Sequence, residues 1–145
     1  MAYEQLKLQN QICFPLYASS RLVTRAYQPH LEALDLTYPQ YLVLMVLWEE
    51  EGLTVNQIAD RLILNTNTLT PLLKRMEQGG LLERTRSRED ERKVTVRLTP
   101  GGRDLEARAA RIPQALAESL EKQALSREDL ILLKSLLDRL VTSLA

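Results

Sequence analysis

Residues 54–80 read TVNQIADRLILNTNTLTPLLKRMEQGG, and this stretch decides the fold. Thr54 and Gln57 have capping-box spacing: a threonine hydroxyl accepts from the backbone three residues on, and the glutamine side chain reaches back. Ile58, Ala59 and Leu62 then fall on one face of a short helix. A polar turn near Leu64-Asn65 interrupts it. Leu69, Leu72, Leu73 and Met76 give a second helix, about 65–78, its apolar face. Gly79-Gly80 supplies a left-handed stop, which glycine adopts without steric cost. The stretch is two short helices joined by a tight turn.

Downstream the period changes from helical to two. Leu81-Leu-Glu-Arg84 is short and strand-like, and Val94, Val96 and Leu98 alternate with Thr95 and Arg97. Between them the segment Arg86-Ser-Arg-Glu-Asp-Glu-Arg-Lys93 is charged and contains no apolar residue. These residues predict a hairpin with a charged tip. Helix-turn-helix followed by a β-hairpin is the winged-helix arrangement.

Upstream, Ile12, Leu16, Val23, Tyr27, Leu31 and Leu34 predict one amphipathic helix over about 8–34, with Pro15 in an early turn where a missing N–H does least harm. Thr37-Tyr-Pro-Gln40 is a further capping box. The run Tyr41-Leu-Val-Leu-Met-Val-Leu-Trp48 behind it is apolar nearly all round, as a buried central helix would be. After the hairpin, Thr99-Pro100 opens a long helix with a bend expected at Pro113. Ser126-Arg-Glu-Asp129 opens a last helix with Leu130, Leu133, Leu137, Leu140 and Leu144 on one face. The fold class expected is mainly α with a small β-hairpin wing. Residues 1–145 form a single domain, in which about 37–102 make the winged helix-turn-helix and about 1–36 and 103–145 make dimerisation helices.

The composition is that of an ordinary globular chain, 45% hydrophobic and 26% charged. No apolar run approaches the roughly 18 residues a membrane span needs. No signal-peptide pattern opens the chain, so the expected compartment is the cytoplasm, with no membrane partner. One cysteine cannot form an internal disulfide. Net charge is zero, yet residues 60–103 carry ten Lys/Arg against six Asp/Glu, and the segments on either side are acidic. A local basic patch, not the total, sets the potential that a DNA backbone meets.

A helix in the major groove needs short polar side chains near its N-terminus and an apolar face towards its own domain. Residues 65–78 supply both. Asn65, Thr66, Asn67, Thr68 and Thr70 are the candidate base-facing residues, and Lys74 and Arg75 the candidate phosphate contacts. On the wing, Arg84, Arg86, Arg88, Arg92 and Lys93 are placed to reach a minor groove or flanking phosphates. The expected partner is double-stranded DNA. The terminal helices carry more apolar surface than a small core needs, which predicts an intertwined α-helical homodimer reading a pseudo-palindromic operator.

The whole pattern resembles the MarR family of transcriptional regulators. Leu98-Thr-Pro-Gly-Gly102 and Asp90-Glu-Arg92 are similar to motifs of that family. Asn10-Gln-Ile-Cys-Phe-Pro-Leu-Tyr-Ala18, Thr37-Tyr-Pro-Gln-Tyr-Leu-Val-Leu44 and Leu69-Thr-Pro-Leu-Leu-Lys-Arg75 resemble its organic-hydroperoxide-sensing branch. The resemblance implies that Cys13 is the redox-sensing cysteine. It implies that Tyr27 and Tyr38 hydrogen-bond to that cysteine across the dimer interface, and that Tyr17 is a third tyrosine near the site. Asp90 and Arg92 match a wing pair whose arginine enters the minor groove. The sequence departs from the branch at Asn65-Thr-Asn67, where Asp-Ser-Gly is frequent.

Two readings of Cys13 stand at this point. A lone cysteine in an apolar helix is commonly a small buried hydrophobe; the related alternative is a repressor released by a small aromatic or phenolic ligand, with Cys13 structural. A sensor instead needs a stabilised thiolate, which a helix N-terminus and phenol donors would favour. Oxidation gives a sulfenic acid. With no second cysteine in the chain, that acid is left to a small-molecule thiol, giving a mixed disulfide, or to further oxidation. No enzyme is expected: His30 is the only histidine, and there is no metal cluster, phosphate loop or cofactor motif.

Overall fold

The computed structural model describes residues 3–145; Met1 and Ala2, the start of the expected 1–36 segment, lie outside it. The two capping boxes form as their spacing requires. Thr37 starts α2 (Tyr38–Glu49) and Thr54 starts α3 (Val55–Leu62); each hydroxyl accepts from the N3 amide, and each N3 glutamine accepts from the cap amide. α2 is the centre of the core. Its Tyr41, Val43, Leu44, Val46 and Leu47 are buried among Leu31, Ile58, Leu69, Leu73, Met76, Leu82, Val96 and Ile112.

The second helix of the pair is α4 (Thr66–Gln78), capped by Asn65. α3 ends with Ile63 at φ 54°, and Leu64 N–H closes back on Ala59 O at 2.9 Å. Gly79 stays right-handed at φ −78°, so the left-handed stop belongs to Gly80 alone, at φ 77°. The hairpin is β2 (Leu82–Arg86) and β3 (Val94–Leu98), paired antiparallel from Leu82 opposite Leu98 to Arg86 opposite Val94. The first strand therefore runs two residues further into the charged segment than the pattern of residues 81–84 suggests. A third strand, β1 (Leu53–Thr54), completes the order β1-β3-β2, with Leu53 opposite Val96. Two residues are too few to show alternation, so this strand is silent in the sequence.

The first and fifth helices differ from expectation. α1 spans Cys13–Glu32; before it come two single 3₁₀ turns, Glu4–Leu6 and Leu8–Asn10, rather than a helix from residue 8. Pro15 stands third in α1, where a missing N–H is tolerated, and its ring would clash with the carbonyl of Gln11 in a longer helix; Gln11 is the residue that turns extended, at ψ 131°. The helix expected from Pro100 is two helices, α5 (Pro100–Ala109) and α6 (Ile112–Gln123), separated at Ala110–Arg111. Pro113 lies in the first turn of α6, since its ring would clash with the carbonyl of Ala109 in an unbroken helix. α7 (Arg127–Leu144) follows, with Ser126 as its cap.

One junction fixes the helix pair, the wing and α5 together. The Trp48 indole donates to Gly102 O at 3.0 Å. Gly102 N–H donates to Thr99 Oγ1 at 3.1 Å, and that hydroxyl donates to Gly80 O at 2.6 Å. A Cβ on Gly102 would sit 2.2 Å from Leu81 O, so only glycine allows this approach. Among the described residues no helix is long and apolar enough to cross a membrane.

Candidate nucleic-acid interface and thiol site

α4 buries Leu69, Leu72, Leu73 and Met76. At 100° per residue, the ridge directly opposite is Asn67, Pro71, Lys74 and Gln78, and all four are exposed. Thr68, Thr70 and Arg75 flank that ridge and are exposed, while Thr66 is half-buried. Asn65 serves the backbone instead, because its Oδ1 accepts from Asn67 N–H at 2.8 Å and so caps the helix.

The wing tip is held by its own polar groups. Ser87 Oγ accepts from Glu89 and Asp90 amides, and Ser87 N–H donates to Lys93 O at 2.8 Å. Asp90 Oδ1 accepts from Arg92 N–H at 3.1 Å and from Arg92 Nε at 3.4 Å. This fixes the base of the Arg92 side chain while 94% of it remains exposed. Arg86, Arg88 and Lys93 are exposed beside it. Arg84, grouped with them in the sequence, turns inward. Its amide donates to Glu77 Oε2 at 2.7 Å and its guanidinium to Glu77 Oε1 at 3.1 Å. The Arg84 amide and guanidinium together hold the Glu77 carboxyl below the usual carboxylate range. Arg84 thus fastens the wing to the end of α4.

Cys13 is the first residue of α1 and is exposed. Ile12, 78% exposed, Phe14, Leu16 and Tyr17 are its neighbours along the chain and are exposed as well. Tyr17 is one turn on, with the Arg21 guanidinium 4.6 Å from its ring centre. At the other end of α1, Tyr27 meets Tyr38 at 5.1 Å between ring centres. Fourteen residues at 1.5 Å rise separate Tyr27 from Cys13 by about 21 Å. One chain therefore brings Tyr27 and Tyr38 together, and Cys13 and Tyr17 together, but not the two pairs to each other.

Sequence reasoning missed Tyr41. It is 2% exposed, its ring lies 5.9 Å from Tyr27 and 6.2 Å from Tyr38, and Trp48 meets its edge at 6.5 Å. The signal was available, because Tyr38 and Tyr41 are one turn apart on α2. Burial, with Tyr38 and Tyr41 nearby, pushes the Tyr27 phenol up to about 12, and burial raises Tyr38 and Tyr41 as well. All three stay protonated at neutral pH and keep their O–H donors.

None of the residues of α7 is buried. Ile131, Leu132, Leu133, Leu136, Leu140, Val141 and Leu144 are exposed along it.

The sequence model of the transcriptional regulator SarA/Rot family matches residues 25–108. Over 142 residues, 98% of this chain and 95% of its relative, the chain is 51% identical to the organic hydroperoxide resistance transcriptional regulator of Bacillus subtilis (strain 168). The chain belongs to the MarR- and SarA-type winged-helix regulators. Among solved structures of such regulators, reduced AbfR bound to DNA, the Staphylococcus epidermidis protein, is similar at TM-score 0.72 and 37% identity, covering 97% of this chain and 96% of its own. Overoxidized AbfR bound to DNA is similar at TM-score 0.71 and 38% identity, covering 97% and 98%. In this regulator, then, two exposed surfaces face different chemistry: the α4 ridge with the wing, and the apolar ground around Cys13.

Proposed function

We propose that the chain is a homodimeric transcriptional repressor that holds its operator while Cys13 is reduced and releases it when an organic hydroperoxide oxidises that thiol. The observation that carries this reading is the position of Cys13. It is exposed on an apolar end of α1, about 21 Å along the helix from the tyrosines whose phenols would serve it. A second copy of the chain, docking through the uncovered faces of α1 and α7, would cover the thiol and could bring its own Tyr27 and Tyr38 to it. That fits the division into dimerisation helices, about 1–36 and 103–145, and a DNA-binding unit, about 37–102. A cysteine outside the core also argues against a purely structural role, and with it against the reading in which a phenolic ligand acts and Cys13 is inert.

Within the DNA-binding unit, Asn67, Thr68 and Thr70 would face base edges, and Lys74 and Arg75 would meet phosphates. Arg92, braced by Asp90, would enter the minor groove, with Arg86, Arg88 and Lys93 on the flanking backbone. Asn65 would act as the helix cap and Thr66 would pack beneath.

The Cys13 thiolate attacks the outer peroxide oxygen. The O–O bond breaks, the departing alkoxide takes a proton and leaves as an alcohol, and sulfur is left as sulfenate. Phenol O–H donors stabilise the negative sulfur before attack. A small-molecule thiol then condenses with the sulfenic acid, expelling water and leaving a mixed disulfide. A relative seen on DNA in its overoxidized state favours this bulkier product over further oxidation as the releasing species. Added bulk under α1 separates the two α4 helices and breaks their match to the two half-sites. The reaction is stoichiometric and not an enzymatic turnover, and its reversal relies on the reducing thiol pool of the cytoplasm.

The test is operator release on titration with an organic hydroperoxide and a small thiol, wild type against Cys13→Ser. Wild type should release the operator and the variant should keep it. Release by the serine variant would refute the sensing role.

A further inference from the structure

Asn67 stands in the exposed first turn of α4 and is not explained by packing or capping. Asparagine has weak helix propensity, and its side-chain amide here makes no hydrogen bond among the described residues. Its neighbours are accounted for. The Asn65 amide oxygen is occupied by the cap, and Thr66 is half-buried. Thr68 and Thr70 flank the ridge with hydroxyls that either donate or accept, and so discriminate weakly. Pro71 has no donor, and Lys74 is a point charge about 10 Å further along the axis.

We propose that Asn67 is the direct base reader of this protein, specifying one adenine in each half-site. The inference rests on α4 being the major-groove helix. A carboxamide offers an acceptor and a donor side by side. That pair matches the N6 amino group and N7 of adenine in the major groove, and no other base presents the same pattern. Asn67 lies opposite the buried face, so a helix seated in the groove by its N-terminal end turns this amide towards the base edges.

The experiment is in vitro selection from random duplexes with wild type, Asn67→Gly and Asn67→Asp. Circular dichroism and thermal unfolding would verify that each variant is folded. Wild type should enrich a two-fold symmetric site with an adenine at one position of each half. Asn67→Gly should lose preference at that position alone, roughly five- to 150-fold in relative affinity, the span expected for one bidentate pair. Asn67→Asp, which accepts but cannot donate, should shift that position towards cytosine. In the selected duplex, replacing the adenine by 7-deazaadenine keeps the base pair but removes N7. It should weaken wild type and leave Asn67→Gly unaffected. An unchanged preference at every position in Asn67→Gly would overturn the role of Asn67 while leaving α4 as the DNA-binding helix. Failure of wild type to enrich any symmetric site would overturn the DNA-reading assignment itself.

Discussion

A mixed dimer can separate a sensor site built across two chains from one built within a single chain. Take one subunit carrying Cys13→Ser with its tyrosines intact, and a second carrying Tyr27→Phe and Tyr38→Phe with Cys13 intact. The distance of about 21 Å between Cys13 and Tyr27 along one continuous helix forbids a direct hydrogen bond within a chain. If the tyrosines serve the partner's thiol, the mixed dimer contains one complete site and one dead site. If they do nothing for it, the only cysteine present behaves as in the double-phenylalanine homodimer.

The expected contrast is large. A hydrogen bond to a charged group is worth about 1.5–3 kcal/mol. Each such donor stabilises the charged sulfur by about a factor of ten or more, and about half of that is offset because a stabilised thiolate is a weaker nucleophile, so the two donors together are worth about tenfold in rate. The double-phenylalanine homodimer should therefore oxidise about tenfold more slowly than wild type. The mixed dimer should oxidise its single cysteine at the wild-type rate. The two subunits can be given different affinity tags and purified as the mixed species. Sulfenic acid can then be trapped with a dione reagent and followed by intact mass after a stoichiometric dose of hydroperoxide. A mixed dimer as slow as the double-phenylalanine homodimer would refute service across the interface.

Three further outcomes follow from the geometry. Gly102→Ala places a methyl group 2.2 Å from Leu81 O and 3.1 Å from Leu98 Cδ2, so it should destabilise the fold by about 1–3 kcal/mol or more; an unchanged thermal midpoint would contradict the close approach. Ile63 is a β-branched residue at φ 54° and 58% exposed, so Ile63→Asn should stabilise by about 1 kcal/mol, read by urea denaturation; destabilisation would mean that the packing of the isoleucine side chain outweighs its backbone strain. The Tyr27 phenol, raised to about 12 from an ordinary 10, gives stability that is full below pH 10 and is lost as pH rises from 10 towards 12. Phenolate absorbance should show a late-titrating group that Tyr27→Phe removes, and its persistence in that variant would assign it to another tyrosine.

Much of the fold is legible in the sequence because it depends on local chemistry. Thr37/Gln40 and Thr54/Gln57 are capping boxes at any position in a chain, and both form. The alternation from Val94 to Leu98 shows which residues face inward without reference to a partner strand. What the sequence hides has a common origin in contacts between distant segments. β1 exists because Leu53 meets Val96, and Arg84 turns inward because Glu77 waits on the preceding helix. Nothing near Arg84 in the sequence distinguishes it from Arg86. Pro113 is visible in the sequence, but its effect is stronger than the expected bend: the chain breaks before it, ending α5 outright and starting a new helix.

The thiol site is harder to read for a different reason. Composition around Cys13 suggests a buried cysteine, since Ile12, Phe14 and Leu16 are apolar. In the folded chain these side chains are exposed, and the phenols gather at the far end of the same helix. Neither the sequence alone nor a single chain closes the site. The two apolar surfaces left uncovered, the start of α1 and the length of α7, are also those a second copy would need. Dimerisation and sensing would thus depend on the same surface, so oxidation at Cys13 would act directly on the contact that sets the spacing of the two α4 helices. The junction of Trp48, Gly102, Thr99 and Gly80 ties the helix pair, the wing and α5 together through three hydrogen bonds. A displacement at the dimer contact would then arrive at the DNA as a change in half-site spacing, with the exposed face of each α4 unaltered.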